Sequence, residues 1–400
     1  MSRADRAFAY GAALGFLGDL LIGDPRRGHP VAGFGRAAGA LEKLMWRDHR
    51  GTGAAYAALC VGGSATAAAL AERAARDRPV LRAALTAAAT WSVLGGTSLA
   101  REARAIGAAL EAGDLAAARA RLPHLCGRDP AALDADALAR AVVESVAENT
   151  SDAVVGALVW GGLAGVPGLV GFRAANTLDA MVGHRSPRHL RFGWAAARLD
   201  DAVGYPGARL TAALTALAGP YPRSALATAR RDGPLHPSPN AGPVEAAFAG
   251  ALRIRLGGTL AYGGRTEHRP VLGAGFRPPG PADIGRAIRL SRRVGALALG
   301  ASVLLSAARG ARLPAAGRGA GPAPVTGRST VPDGTTVAGR GVGSGRVPGS
   351  GRVPGSGRGP GSGRVPNSGR VPGSGRAPTA DRVRAVARAT GPAPTAEGAR

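Results

Sequence analysis

Lysine, cysteine and aromatic residues are scarce in this chain of 400 residues. Lys43 is the only lysine, so the sequence contains no Gly-Lys-Ser/Thr motif and a P-loop nucleotide site is excluded. The two cysteines, Cys60 and Cys126, lie far apart without metal-ligand spacing, which argues against a disulfide framework and a zinc site. Aromatic residues make up 4% of the chain, and alanine and glycine dominate instead. Small residues of this kind let helices pack closely in a bilayer.

Charge is also absent from several long stretches. Gly51–Ala71, Ala83–Ala100 and Ala153–Phe172 approach or reach the roughly 20 apolar residues that a spanning helix needs. The shorter uncharged runs could span a bilayer only together with residues that flank them. The sequence therefore predicts an all-α, polytopic membrane protein with about four to five spanning helices, cytoplasmic helical loops and a C-terminal tail. The alternative is a soluble alanine-rich helical protein, which so many uncharged runs disfavour.

The C-terminal part of the chain is of low complexity. From Gly343 to Pro378 a hexad of the type GSGRVP occurs six times. Because Gly, Ser and Pro at this density cannot bury a core, we expect a disordered tail over residues 313–400, after a membrane-embedded domain over residues 1–312. About half of the net charge of +25 belongs to residues 309–400, which include this tail. Its arginines would suit an anionic surface, but passive expansion of a repeat is the favoured explanation.

Carboxylates and carboxamides gather between residues 142 and 201, beside apolar segments, where such groups are costly unless they have a function. On the helix predicted to end near Glu148, Glu144 lies one turn earlier and Asp152 continues the same face. Like charges at this spacing repel each other, and a cation or an arginine between them would relieve the repulsion. Clustered hard oxygen ligands suit Mg²⁺. A solvated acidic face is the alternative.

Three further polar stretches carry candidate residues, and each is a weak signal alone. The first is the loop GDPRRGHP, stiffened by two prolines, where Asp-Pro is also ordinary turn chemistry. The second follows the run Ala153–Phe172, and its Arg198 and Asp201 lie within one helical turn and could simply pair. The third is rich in proline and glycine, and its RLGG and YGG segments could present backbone N–H groups to phosphate. The candidates are Asp24, Arg26, His29, Asn176, Asp179, Arg198, Asp200, Asp201, His236 and Asn240.

Taken in order, four strings of this sequence resemble the adenosylcobinamide-phosphate synthase family of cobalamin biosynthesis. They are GDPRRGHPV, VESVAENTSDAVV, NTLDAMVGHRSPRHLRFGWAAARLDD and HPSPNAGPVEAAFAGAL. The resemblance implies a multi-pass protein of the cell membrane with its active site on the cytoplasmic face. It also implies an ATP-dependent amide bond between the propionate carboxylate of adenosylcobyric acid and (R)-1-aminopropan-2-ol or its phosphate. His184, where the family often has a tyrosine, departs from the pattern.

The resemblance also implies roles for the candidate residues by position. Either His29 or His236 would deprotonate the incoming amine, and Mg²⁺ and ATP would be required. The expected partners are the two substrates, membrane lipid and other enzymes of the cobalamin pathway, but not nucleic acid. The expected catalytic residues are Glu144, Glu148, Asn149, Asp152 and His236, and the expected metal ligands are Glu148, Asp152 and Asp200. The expected substrate-binding residues are Asp24, Arg26, His29, Asn176, Asp179, Arg198, Asp201 and Asn240.

Two other functions are compatible with the apolar pattern. One is a non-catalytic membrane sensor or regulator distantly related to the family, which should have lost the acidic motifs. The other is a corrinoid transport component, which would not need so many oxygen ligands. Because the acidic motifs are all present, the sequence favours the enzyme.

A single crossing by Ala153–Phe172 would place the two acidic stretches on opposite sides of the membrane. One active site needs both of them on the same side. The segment contains Pro167 and several glycines, and broken or re-entrant backbone is tolerated at depth where protein covers it. We therefore expect this segment not to cross as one continuous helix.

Overall fold

The computed structural model describes residues 2–24, 28–131, 133–262 and 265–312. The proposed tail and Arg26 lie outside these residues. The helices are α1 (Arg3–Ile22), α2 (Pro30–Met45), α3 (Arg50–Ala74), α4 (Pro79–Val93), α5 (Gly96–Glu111), α6 (Leu115–Arg121), α7 (Ala135–Thr150), α8 (Gly156–Val182), α9 (Trp194–Ala218), α10 (Pro222–Asp232), α11 (Ala241–Leu252) and α12 (Pro281–Arg312). The strands are β1 (Leu256–Tyr262) and β2 (Arg265–Leu272).

Helices of membrane-spanning length are present, as the sequence predicted. Among the described residues, three segments are long and apolar enough to cross a bilayer: Arg50–Ala74, Ala135–Val182 and Pro281–Ala311. The uncharged run Ala83–Ala100 is not one of them, because α4 ends at Val93 and α5 begins at Gly96. Two consecutive glycines at this point explain the break, since glycine is unfavourable inside a helix.

The core of the fold is formed by α7 and α8, and α12 packs along both. Nearly every residue of α7 from Leu138 onward is buried. A π-helical turn, Ser151–Val155, joins the two helices. A π-helical turn contains an extra residue, so it rotates the side chains of one flanking helix relative to the other. Such turns are frequent at functional sites. The turn carries Asp152, one of the predicted metal ligands.

The chain reverses its direction inside α8. Gly165 has φ 71° and ψ −150°, a backbone conformation that glycine adopts without the steric cost of a Cβ atom. The two halves then pack antiparallel: Gly156 contacts the ring of Phe172, and Gly168 contacts the carbonyl of Trp160. Ala153–Phe172 is therefore a helical hairpin and not one continuous helix, in agreement with the break that its proline and glycines predicted.

A two-stranded antiparallel pair, β1–β2, takes the place of the phosphate-binding loop expected at RLGG, whereas Gly263 and Gly264 of YGG lie outside the described residues. Gly257 and Gly258 both have positive φ and lie at a register shift in β1, which explains the need for glycine there. The hairpin is held to the helices by buried carboxylates, since Asp232 Oδ2 accepts a hydrogen bond from Gly273 N at 2.7 Å. The sequence prediction missed this element, although alternation around a Gly-Gly pair is a known hairpin signal.

We expect the loops before α7 and after α8 to lie on the same side of the membrane, because the chain reverses between them. The test uses single cysteines in place of Ala131, Leu190 or Arg76, in a background where Cys60 and Cys126 are alanine. All three positions are exposed. An impermeant maleimide applied to sealed vesicles should label positions 131 and 190 from one side. Position 76, beyond α3, should be labelled from the other side.

Labelling of positions 131 and 190 from opposite sides would show that residues 135–182 cross as one helix. The reversal would then be wrong.

Candidate active site

A cavity of about 120 Å³ brings three of the four predicted polar stretches together. It lies between α7, the π-helical turn, the end of α8, α9 and the loop that precedes α11. Because α8 turns back at Gly165, its C-terminal end returns to the level of the π-helical turn. The charged side chains of the lining are Glu144, Glu148, Asp152, Asp179, Asp200, Asp201, Glu245, Arg128 and Arg269.

Glu144 forms the wall of the cavity on the side of the β-hairpin. It is buried and forms an ion pair with Arg128, which is buried as well. Its Oε1 atom also accepts a hydrogen bond from Gly257 N at 2.6 Å. Both interactions use the carboxylate to join α7 to other segments, and they give Glu144 a positioning role within the site.

Sequence reasoning missed Arg128. It lies in a short connection, Gly-Arg-Asp-Pro, that resembles an ordinary turn. The only signal for Arg128 in the sequence is its position shortly before an otherwise apolar helix that carries two glutamates.

Asn149 lies next to Glu148 on α7 and has its side-chain amide oriented by its own helix. The amide nitrogen donates to the Ser145 carbonyl at 2.9 Å. The hydroxyl of Ser145 in turn donates to the carbonyl of Leu125 at 3.1 Å. The amide oxygen of Asn149 is therefore the part of this side chain that remains for a ligand in the cavity.

The opposite wall of the cavity comes from α9. Asn176 does not line the cavity, but its amide nitrogen donates to Asp200 Oδ1 at 3.2 Å and so orients that carboxylate. Asn240 donates to the carbonyl of Asp201 at 3.0 Å. Arg198 points outward: its side chain is 68% exposed and lies 3.8 Å from Asp201. An ion pair with Asp201 on the helix surface is sufficient to explain the position of Arg198, so no bound substrate is needed to explain it.

His236 and Glu245 lie at the α11 end of the cavity. Burial lowers the pKa of His236, and the positive charge of Arg269, 3.5 Å from its Nε2 atom, lowers it further. At neutral pH His236 is therefore a neutral imidazole, the form that can accept a proton. Burial raises the pKa of Glu245 well above its ordinary value, and the neighbouring Glu144 and Glu148 add to this effect. The protonated form of Glu245 is therefore favoured over its usual range, which sequence reasoning did not foresee.

The donor set of the cavity fits Mg²⁺ that is shared with a substrate. Carboxylate oxygens dominate the lining, and oxygen is the ligand that Mg²⁺ prefers. Within the described part of the chain, no group of three or more His, Cys, Asp or Glu side chains is placed to hold a metal by itself. A metal held by Glu148 and Asp152 would therefore complete its shell with water and phosphate oxygens, as is usual for Mg²⁺.

The first polar stretch lies outside this cavity. Asp24 lines a smaller cavity of about 40 Å³ that adjoins the main one through Leu125 and Asn149. His29 lies 3.8 Å from Asp24, and its Nδ1 atom accepts a hydrogen bond from Val31 N at the start of α2. The Nδ1 atom of His236 likewise accepts a hydrogen bond from Ser238 N, at 3.1 Å. His29 is the less suitable base because it does not line the main cavity, whereas His236 does.

Replacing Glu144 with alanine should destabilise the protein by about 3–5 kcal/mol, because it removes a buried carboxylate that balances the charge of the buried Arg128 guanidinium. The N–H of Gly257 would also lose its acceptor. The measurement is the unfolding free energy, or the melting temperature, of the detergent-purified protein. Glu111→Ala is the control, since Glu111 is exposed at the end of α5. Equal stability of the two variants would contradict the bracing role of Glu144.

Stability should depend on pH through Glu245. Its pKa is higher in the folded protein than in the unfolded chain, so its contribution is present at low pH. The contribution is lost as the pH rises from the ordinary glutamate range through the raised pKa. Glutamine resembles the protonated carboxyl, so Glu245→Gln should gain melting temperature relative to the wild type as the pH rises from about 5 to about 9. Parallel curves for the two proteins would show that Glu245 ionises normally.

The chain is similar in sequence to known proteins of cobalamin biosynthesis. The family model described as CobD/Cbib protein matches residues 12–291. The cobalamin biosynthesis protein CobD of Mycobacterium tuberculosis is 55% identical over 301 residues, which cover 74% of this chain and 94% of the relative. The protein of the same name from Chromobacterium violaceum is 43% identical over 303 residues, covering 72% and 95%.

No solved structure matches the chain. The matched region contains every predicted site residue and the whole cavity. The chain therefore belongs to the CobD/CbiB family of cobalamin biosynthesis proteins.

Proposed function

We propose that this protein is an ATP-dependent amide ligase. It joins (R)-1-aminopropan-2-ol or its phosphate to the propionate carboxylate of adenosylcobyric acid. The observation that carries the proposal is the main cavity, where seven carboxyl groups and two arginines face one small space. Such an excess of acidic groups next to apolar helices is costly unless cations and phosphates are bound there.

The first step would activate the carboxylate of the corrinoid. One of its oxygens attacks the γ-phosphorus of ATP, and ADP leaves. Arg128 and Arg269 are placed at the cavity to bind the phosphate oxygens and to stabilise their charge during transfer. Mg²⁺, when bound, supplies further neutralisation of the phosphates, and Glu148 and Asp152 are the residues that would hold it. Asn149 would orient the substrate through its amide oxygen.

The second step would form the amide bond. The amine nitrogen attacks the activated carbonyl carbon, phosphate leaves, and the nitrogen gives up a proton. His236 suits the acceptor role, because it is neutral at pH 7 and faces the same cavity. The raised pKa of Glu245 favours its uncharged form, which would reduce repulsion of the phosphate groups.

We further propose that the protein is a multi-pass protein of the cell membrane with this cavity on the cytoplasmic side. Three helices of spanning length support the first part. The second part rests on chemistry, because ATP is a cytoplasmic substrate and the cavity is the proposed place for it.

The experiment is an amide-formation assay on detergent-purified protein with adenosylcobyric acid, Mg-ATP and either amine. We expect product that depends on ATP. Glu148→Gln should reduce the rate by about 100-fold or more, as expected for a group that stabilises charge during the reaction. Glu111→Gln, at an exposed position on α5, should keep the wild-type rate.

The sensor and transport alternatives predict a different result. Folded wild-type protein that binds the corrinoid but forms no product with either amine would exclude the ligase. Equal rates for the Glu148→Gln and Glu111→Gln variants would place the chemistry elsewhere in the protein.

A further inference from the structure

The smaller cavity beside the main one has a polar lining that the mechanism above does not use. It lies where the loop after α1 meets α5, the π-helical turn and the second half of α8. Its volume of about 40 Å³ is room for only a few water-sized positions. Leu125 and Asn149 line both cavities. A small molecule in the smaller cavity would therefore lie directly beside a substrate in the main one.

Three buried side chains of this cavity have polar atoms with no partner at hydrogen-bond distance among the described residues, although His29 Nε2 lies 3.8 Å from Asp24 Oδ1 as an ion-pair neighbour. They are Asp24 Oδ1, Ser98 Oγ and Arg173 Nε. The exposed fractions of these residues are 9%, 6% and 7%. Buried polar atoms are nearly always satisfied in folded proteins, so three of them around one cavity require an explanation. A bound polar molecule is the explanation that fits their common location.

The charge of the cavity favours a cationic ligand. Asp24 and Glu102 are acidic, and Arg173 is the only arginine or lysine among the lining residues of the cavity. Arg173 is also attracted to Asp152, so its charge is shared between the two cavities. Burial acts to raise the pKa of Asp24, but interactions with His29, Ser98 and Arg173 outweigh it and lower the pKa. Asp24 is therefore an ionised carboxylate that can hold an ammonium group.

The donors and acceptors also suit a hydroxyl group. Ser98 can donate or accept a hydrogen bond, and the guanidinium of Arg173 can donate one. A compact amino alcohol would satisfy all three buried atoms, with its ammonium on Asp24 and its hydroxyl between Ser98 and Arg173. The acidic groups of the cavity would repel a carboxylate or a nucleotide, and a nucleotide would also be too large for the cavity.

We propose that this smaller cavity is the amine subsite of the enzyme and that Asp24 is the residue that holds the ammonium group. This inference rests on the proposed amide ligation. It separates the two substrates in space: the main cavity takes the phosphates and the corrin carboxylate, and the smaller cavity delivers the amine past Asn149. It also explains why Asp24 lies apart from the other acidic residues.

The test separates the use of the amine from the activation of the carboxylate. Hydroxylamine can trap the activated carboxylate as a hydroxamate, and this readout does not depend on bound amine. In Asp24→Asn the KM for the amine should rise by about 10- to 100-fold, as expected for the loss of a charged hydrogen bond. Hydroxamate formation and the KM for ATP should stay close to wild type. Ser98→Ala should raise the KM for the amine less.

Asp77→Asn is the matched control, because the side chain of Asp77 is 90% exposed. The melting temperature of each variant, measured with and without adenosylcobyric acid, shows whether it is folded and binds the corrinoid. An unchanged KM for the amine in Asp24→Asn would overturn the subsite. So would an equal loss of hydroxamate and amide in this variant.

A wild-type protein that forms neither hydroxamate nor amide would instead overturn the proposed ligase, and the subsite with it. The two failures are therefore distinguishable by the wild-type hydroxamate reaction alone.

Discussion

The reversal of the chain at Gly165 is the constraint on which the rest of the site depends. A residue with a side chain would be strained at this φ of 71°, and a straight helix in its place would carry Asn176 and Asp179 far from Glu148. The packed contact between Gly156 and Phe172 keeps the two halves of the hairpin together. The acidic groups on both flanks can then share one cavity although an apolar segment separates them along the chain.

The crowding of carboxyl groups in this cavity is made tolerable by the surrounding structure. Arg128 neutralises Glu144, and the N–H of Gly257 satisfies one of its oxygens. Burial and the neighbouring glutamates raise the pKa of Glu245, which lowers the negative charge of the cluster. The remaining carboxylates line the same cavity, where the proposed metal ion would contact them. This balance explains how an acidic site can exist beside helices that are apolar enough to cross a membrane.

The division of the polar residues between two adjoining cavities has a chemical consequence. A ligase of the proposed kind must bind an anionic carboxylate and a cationic amine close to each other. The two substrates must not form an ion pair before the carboxylate is activated. The main cavity contains both arginines and the neutral His236, whereas the smaller one contains Asp24 and a single shared arginine. Asn149 lies between them and belongs to both. An amine bound in the smaller cavity would thus lie next to the place where the carboxylate would be activated.

The sequence by itself determined the helical, membrane-type architecture, the family, and which acidic residues share a helix face. These properties depend on hydrophobic runs, on short motifs and on spacings of a few residues, all of which are local features of the sequence. It also indicated the break in Ala153–Phe172, because proline and glycine act locally. The partner of Glu144, the raised pKa of Glu245 and the separation of Asp24 from the main cavity were decided only by the tertiary structure. Each of them depends on which distant segments touch, as Gly257 touches a glutamate 113 residues earlier, and on the burial that such packing creates.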